Sequence, residues 1–272
     1  MTSLKGKHVL LTGGSRGIGP VIAEALAERG AHIALAARSE EGLRNVIKSL
    51  GKYEIKAFAV PVDLAKTTHL HELVTTVIDK FGTLDILINN AGLETAGAYI
   101  DLTWEAIQEN IAVNLMAPMA LTHLVLPHML DWKQGHIVNI ASLAAKCGNV
   151  YAAAYCGAKA GLAEWTRALR LELEGSGVHF STIFPGYVTE VGMFARFRKT
   201  PPATIGSCTP SQVARAVVRA IEREEVELIV NSSPARLLST LSEMSPRLGD
   251  WLMHKLGIVD FQRKNWGCEC DR

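Results

Sequence analysis

Tyr155 and Lys159 stand four residues apart in a stretch, residues 155–174, whose apolar spacing predicts a helix stopped by Gly175. Their side chains therefore share one face. A phenol with an ordinary pKa of ~10 is a poor base at neutral pH. An ammonium beside it favours the phenolate and lowers that pKa. A tyrosine so placed can hand a proton to a ketone oxygen, or take one from an alcohol in reverse. Ser142 ends a short apolar run ahead of that helix, and its hydroxyl can polarise and orient a carbonyl. Each residue singly also fits a plainer role, Tyr155 as a half-buried helix tyrosine and Ser142 as a strand-end cap. Together they suit proton transfer between a carbonyl and an alcohol.

A second motif, Thr12-Gly13-Gly14-Ser15-Arg16-Gly17-Ile18-Gly19, lies between a predicted strand at residues 8–11 and a predicted helix at 21–29. Glycines let the turn be tight and let backbone amides approach a pyrophosphate. The helix N-terminus adds unpaired N–H groups and the positive end of its dipole. The spacing is one residue longer than the common dinucleotide fingerprint. A tight structural turn would use the same glycines, but a place directly after the first strand and before the first helix favours the nucleotide. Pro20 follows and is tolerated in a first helical turn. At the end of the second predicted strand, residues 32–36, the chain reads Ala36-Ala37-Arg38-Ser39. NAD binding wants an acidic residue there for the ribose 2′-hydroxyl. None is present, and Arg16 and Arg38 can pair with a 2′-phosphate. The pattern favours NADP(H) over NAD(H), although either arginine alone also reads as a solvated surface charge.

These residues need a scaffold that brings distant segments together. Apolar runs at residues 8–11, 32–36, 56–62, 84–89, 136–140, 178–184 and 226–230 alternate with helical spacings. The helices are predicted at 21–29, 41–50, 68–81, 104–132 (one helix or two), 155–174 and onward from Thr209-Pro210, with Thr209 as N-cap. Near-continuous apolar strands mark a parallel sheet covered on both faces. The alternation predicts one doubly wound α/β domain. Ligands of such sheets sit beyond the carboxyl ends of the strands, which is where these motifs fall.

Taken in order, Thr12-Gly-x-x-x-Gly-x-Gly19, Asn89-Asn90-Ala91-Gly92, Ser142, Tyr155-x-x-x-Lys159 and Pro185-Gly186 resemble the motifs of the short-chain dehydrogenase/reductase family. The resemblance spans about residues 5–230. It implies a single Rossmann-like domain with a mostly parallel seven-stranded sheet and helices on both faces. Residues 1–232 would be the NADP(H)-binding catalytic domain and 233–272 a C-terminal helical extension. Catalytic roles are implied for Asn114, Ser142, Tyr155 and Lys159. In the family the lysine also holds the nicotinamide ribose hydroxyls, and the residue in the place of Asn114 completes a water-mediated proton relay with it. Asn114 equally suits a helix-interior packing hydrogen bond. Cofactor contacts are implied for Thr12, Gly13, Ser15, Arg16, Gly17, Ile18 and Gly19 in the turn, and for Arg38. They are implied for Asp63 near the adenine, and for Asn90, Ala91 and Gly92 along the adenosine ribose. Tyr155, Lys159, Pro185, Gly186, Val188 and Thr189 are implied near the nicotinamide. One departure concerns the last turn. The family often has threonine four residues after its glycine, bonding the carboxamide; here that position is Glu190, with Thr189 one earlier.

The same resemblance places a substrate lid at about residues 194–208, and family members form dimers or tetramers through helices equivalent to 104–132 and 154–174. The expected reaction interconverts a ketone or aldehyde and an alcohol by hydride transfer with NADP(H), reduction being the direction cellular NADP pools favour. Leu93-Glu94, residues 143–147 and Tyr187 are expected substrate walls. Acyl, steroid-like, sugar and xenobiotic carbonyls all stay open, the apolar tail pointing to a lipophilic or oxoacyl-type substrate. The alternative is a non-catalytic protein that senses or binds NADP(H). Such proteins usually lose the Tyr or the Lys, and both stand here.

Bulk properties bound the rest. The chain has 272 residues, 48 % hydrophobic, enough for one large core. Lys plus Arg is 28 against 27 Asp plus Glu, a net +1, so no nucleic-acid partner is expected. No apolar run free of polar breaks reaches the ~18 residues that span a bilayer, and no signal peptide is expected. Five cysteines without a regular framework suit a cytoplasmic, reducing compartment. Cys268-x-Cys270 lacks a second pair of ligands, so no metal site is expected. In the tail, Leu237, Leu238, Leu241, Met244, Leu248, Trp251, Leu252 and Leu256 recur at helical spacing, which Pro246 must break or kink. Three uses compete: packing on its own domain, which is the default, covering an apolar substrate, or touching another subunit or a membrane surface. Arg236, Arg247, Lys255, Arg263 and Lys264 keep the membrane surface open.

Overall fold

The computed structural model describes residues 2–195, 201, 205–232 and 234–266. Seven strands, β1 (His8–Thr12), β2 (His32–Ala37), β3 (Ala57–Pro61), β4 (Ile86–Asn89), β5 (Gly135–Ile140), β6 (Val178–Pro185) and β7 (Glu227–Val230), form one sheet. Its order is β3-β2-β1-β4-β5-β6-β7, and every neighbouring pair is parallel. The helices are α1 (Gly19–Ala27), α2 (Glu40–Leu50), α3 (Thr68–Phe81), α4 (Trp104–Ile111), α5 (Ala117–Asp131), α6 (Ala153–Glu172), α7 (Gly192–Ala195), α8 (Pro210–Arg223), α9 (Ala235–Met244), α10 (Pro246–Lys255) and α11 (Ile258–Trp266). The fold is the expected Rossmann-like one with a C-terminal helical extension.

The two-residue period of a strand sorts the apolar runs onto two faces. Val9, Leu11, Ile33, Leu35, Ile86 and Ile88 pack with Ile22 and Leu26 of α1, Leu43 of α2 and Val213, Val217 and Ile221 of α8. Leu10, Ala34, Leu87 and Ile137 face the other way, onto Leu70 and Leu73 of α3 and Leu121, Val125 and Met129 of α5. Both faces are covered, which is why the strands read as unbroken apolar runs. The chain moves outward from β1 to β3 and then returns to β4 on the other side of β1. The order therefore reverses between β1 and β4, and such a switch leaves a crevice at the carboxyl ends of those two strands.

Several boundaries are set by side chains the propensities do not weigh. β4 begins at Ile86 rather than Leu84; the Asp85 carboxylate there accepts from Lys7 Nζ at 2.8 Å and the His8 backbone N–H at 2.9 Å. Thr209 caps α8 in both directions: its Oγ1 accepts from Gln212 N at 3.2 Å, and Gln212 Oε1 accepts from Thr209 N at 2.8 Å. The expected helix over 104–132 is continuous, with a wider π-type turn at Ala112–Met116 joining α4 to α5. Contrary to the reading of the bare run, Trp104–Asp131 is long and apolar enough to cross a membrane by length and composition. Here its Leu121, Val125 and Met129 are buried against the sheet instead. Ser245 is extended and Pro246 opens α10, so the tail breaks where proline requires it. Most of the expected lid (196–200 and 202–204), together with Cys268 and Cys270, lies outside the described residues.

Candidate active site

The carboxyl ends of the central strands open onto one cavity of about 640 Å³. From β1 comes the glycine turn, of which Gly13, Ser15, Arg16, Gly17 and Ile18 line the wall. Gly13 has φ +68°, and a Cβ on it would lie 2.8 Å from the Ala91 Cα. No other residue fits that position without moving the neighbouring strand loop. A Cβ on Gly19 would collide with the Gly13 carbonyl oxygen, so Gly19 acts by seating α1 against the turn. Thr12 is likewise behind the surface. Its Oγ1 donates to the Ile88 carbonyl at 3.3 Å and accepts from the N–H groups of Asn90 and Ala91 at 3.0 and 3.1 Å. It thereby locks the β1 turn to the loop after β4. Asn90 completes the tie, its Nδ2 donating to the carbonyls of Thr12 and Gly13. Its buried Oδ1 keeps no hydrogen-bond partner among the described residues.

Ala91, Gly92 and Asp63 line the same wall, and Arg38 stands at its edge. Arg38 is half exposed and meets Glu109 at 3.3 Å. An exposed pair of this kind is worth about 0–1 kcal/mol, so the guanidinium can turn to a phosphate at small cost. Glycines that exclude a Cβ and two arginines on one wall fit a dinucleotide phosphate, and the unpartnered Asn90 acceptor fits a ribose hydroxyl. The residues present therefore suit the cofactor the sequence pointed to.

The candidate proton-transfer group sits beyond β5. Ser142 Oγ accepts from the Ala144 N–H at 3.1 Å, capping a short turn and leaving its own proton free to donate. The cap and the catalytic role are compatible. Lys159 is almost fully buried, and its Nζ donates to the Ile140 carbonyl at 2.8 Å. Burial depresses its pKa to about 7. Tyr155 is part-buried, and desolvation, then the Glu94 carboxylate, push its pKa up, while the Ser142 hydroxyl acts the other way. The expected lowering of the phenol by the ammonium is therefore corrected. Nζ lies 5.9 Å from the Tyr155 ring centroid, and desolvation governs both groups. In this fold Tyr155 holds its proton tightly.

Asn114 is fully buried in the π-type turn. Its Nδ2 donates to the carbonyls of Leu93 at 2.6 Å and Asn110 at 2.9 Å, and its Oδ1 accepts from the Leu93 N–H at 3.2 Å. It does not line the cavity. It braces the loop of Gly92, and a Cβ there would meet Asn114 Oδ1 at 3.3 Å and Lys159 Nζ at 3.8 Å. Pro185, Gly186 and Val188 line the cavity after β6, but Thr189 does not. Its hydroxyl and N–H both donate to the Cys208 carbonyl, at 3.3 and 2.9 Å, and the chain then turns at Glu190 with φ +69°. Leu93, Glu94, Leu143, Cys147 and Tyr187, the expected substrate walls, line the same cavity. Cys156 is turned away, its Sγ accepting from the Asn149 N–H. Burial raises the pKa of Glu94, and among the described residues it forms no ion pair.

What the sequence did not reveal is the far wall. Leu238 of α9, Met253 of α10 and Ile258 and Gln262 of α11 line the same cavity. The helical apolar spacing of the tail signalled a packed surface. Nothing distinguished Gln262 from any polar residue of an amphipathic helix.

Known proteins agree with this architecture. Residues 7–202 match the family model for short chain dehydrogenase. The chain is 43 % identical to the ketoacyl reductase HetN of Nostoc sp., covering 97 % of this chain and 94 % of that protein. It is 31 % identical to the 3-oxoacyl-[acyl-carrier-protein] reductase FabG of Vibrio cholerae, over 79 % of this chain and 89 % of that one. Among solved structures, a metagenomic short-chain oxidoreductase in complex with NADP superposes with a TM-score of 0.74. It shares 31 % identity and covers 84 % of this chain and 98 % of its own. With motifs, sheet order and relatives in accord along most of its length, this chain is an oxidoreductase belonging to the short-chain dehydrogenase/reductase family.

Proposed function

We propose that the protein is an NADP(H)-dependent carbonyl reductase acting on a lipophilic or oxoacyl-type ketone. The observation that carries this reading is the single cavity shared by the glycine turn, the two arginines and the Ser142–Tyr155–Lys159 group. The ketoacyl reductases among its relatives support the oxoacyl class, as does the apolar far wall. The nucleotide would rest on Gly13, Ser15, Gly17 and Ile18, with Arg16 and Arg38 toward a 2′-phosphate. Asp63, Asn90, Ala91 and Gly92 would run along its adenosine half, and Pro185, Gly186 and Val188 along the nicotinamide. When bound, the cofactor supplies the hydride that the carbonyl carbon receives. Ser142 orients the carbonyl oxygen through its free proton. Tyr155 gives its phenolic proton to that oxygen, acting as the general acid in reduction. Lys159 lies behind it, poised near neutrality to return a proton, with Asn114 holding the loop between them.

Residues 1–232 make the catalytic domain and 233–272 the extension in this reading. A cytoplasmic enzyme that assembles as a dimer or tetramer fits the free thiols and the exposed Trp104 of α4 and Leu171 of α6. The test is NADPH oxidation, followed by absorbance across ketones of graded size and polarity. Turnover is expected on several, and Tyr155→Phe is expected to lower kcat by roughly 10²–10⁴-fold with NADPH affinity retained. Tight NADPH binding without oxidation of any ketone would favour the cofactor-sensing protein.

A further inference from the structure

Gln262 on α11 is 1 % exposed, and its amide is fully engaged. Its Oε1 accepts from the Val150 backbone N–H at 3.0 Å. Its Nε2 donates to Asn149 Oδ1 at 2.9 Å and to the Tyr187 hydroxyl at 3.1 Å. A primary amide offers two protons and a carbonyl oxygen, and all three functions are used. The partners belong to the two loops that border the reacting group. Asn149 and Val150 lie between Ser142 and the start of α6, which carries Tyr155 and Lys159. Tyr187 follows Pro185-Gly186 at the end of β6. Asn149 is tied onward to α6, its N–H donating to Cys156 Sγ at 3.2 Å. Beside the amide, Tyr187 packs edge-on against Phe261 of the same helix at 5.9 Å and against Phe194 at 4.7 Å. Leu238, Met253 and Ile258 present apolar surface to the cavity alongside Gln262.

We propose that Gln262 is a positioning residue that latches the C-terminal extension onto the Asn149–Val150 loop and Tyr187, and so closes the substrate cavity with an apolar end that selects a carbonyl compound bearing an aliphatic chain. The step from latch to selectivity rests on the carbonyl-reductase reading above. Shape alone does not explain glutamine at this position. Leucine would fill similar space but forfeit all three hydrogen bonds, and the part-buried Val150 N–H and Asn149 Oδ1 would lose the partner that holds them. Ionised glutamate keeps the acceptor for Val150 but loses both donors. Released from the extension, the two loops would keep their place in the sheet, while the far wall would not be held against them.

The experiment is steady-state reduction of a series of linear 2-ketones of increasing chain length by the full-length protein, wild type against Gln262→Leu and Gln262→Glu. For the wild type, kcat/KM is expected to rise with chain length. In Gln262→Leu, KM for the longest ketone is expected to rise by about tenfold or more, with kcat on the shortest ketone and NADPH affinity within about threefold. Gln262→Glu is expected to fall between. A loss equal at every chain length, or one shared with NADPH affinity, overturns the proposal and reduces Gln262 to a general brace. Hydrogen exchange at the Val150 amide needs no turnover. Faster exchange there in Gln262→Leu is expected, and unchanged exchange overturns the latch. Wild-type protein that reduces no ketone overturns the reading of the reaction, and exchange at Val150 then still decides the latch.

Discussion

At the scale of single residues, charge decides the choice of ligand. Arg38 holds its place through one exposed contact with Glu109, so what it gains from a 2′-phosphate is barely offset by what it gives up. Arg38→Asp is expected to lower the NADPH-to-NADH ratio of kcat/KM by about tenfold or more, since 1.4 kcal/mol of differential binding is a factor of ten. An unchanged ratio would remove the arginine from the nucleotide site. Glu94 acts at the other end. It lines the cavity without an ion-pair partner among the described residues. A carboxylate in such surroundings repels an anionic substrate group. Glu94→Gln is expected to raise turnover of a ketone carrying a free carboxylate about tenfold relative to its neutral ester, with the ester within about threefold. Equal effects on acid and ester would sink that reading. Residue types and spacing made Tyr155, Lys159 and the glycine turn legible. They did not make legible the balance of burial against charge, because desolvation depends on what surrounds a group rather than on what precedes it in the chain.

At the scale of elements, β5 carries a buried polar pair that ties the sheet's stability to pH. His136 Nε2 lies 2.8 Å from Ser181 Oγ on β6, and that hydroxyl donates its proton to the Glu225 carbonyl at 2.6 Å. Ser181 Oγ must therefore accept from His136, which puts an imidazole proton on Nε2. Burial, with His179 nearby, depresses its pKa to about 3. The folded state excludes a proton that the unfolded chain binds below about 6.5. Stability is thus unaffected by this group above that value and falls as pH drops from about 6.5 toward 3, by up to about 1.4 kcal/mol per unit. Urea unfolding across that range is expected to show a shallower pH slope for His136→Gln than for the wild type. Parallel slopes would assign the acid sensitivity to other groups. Strand and helix periods were readable from the sequence, and the observed strands match within a residue or two. Where they differ, as at the start of β4, a carboxylate such as Asp85 has taken backbone and lysine partners at the start of the neighbouring strand β1.

At the scale of the whole molecule, the exposed apolar residues are unevenly spread. Trp104, at 63 %, and Leu171, at 62 %, project from α4 and α6, which pack against each other. Subunit association through this face would remove both from water. Trp104→Glu combined with Leu171→Glu is expected to shift the protein to a smaller species in sedimentation, with cofactor binding retained. A monomeric wild type, or an assembly indifferent to the double change, would exclude this face. The tail answers differently. Of the three uses open to it, its inner face packs on its own domain and contributes the far wall of the cavity, while Leu237, Met244 and Trp251 stay exposed on its outer side.

The sequence by itself determined the sheet class, the order of motifs and which residues are candidates for proton transfer and for the nucleotide turn. Each of these depends on local period or on spacing along one element. Tertiary structure alone decided that Thr12 and Gly19 work behind the cavity wall, that Thr189 turns to Cys208, and that Gln262 reaches the loops before Tyr155 and after Gly186. Those outcomes are contacts between segments far apart in the chain. A hydrogen bond across more than a hundred residues leaves no periodic trace in either partner. Only packing brings the two ends together, and packing is also what desolvates Tyr155 and Lys159, which their spacing does not convey.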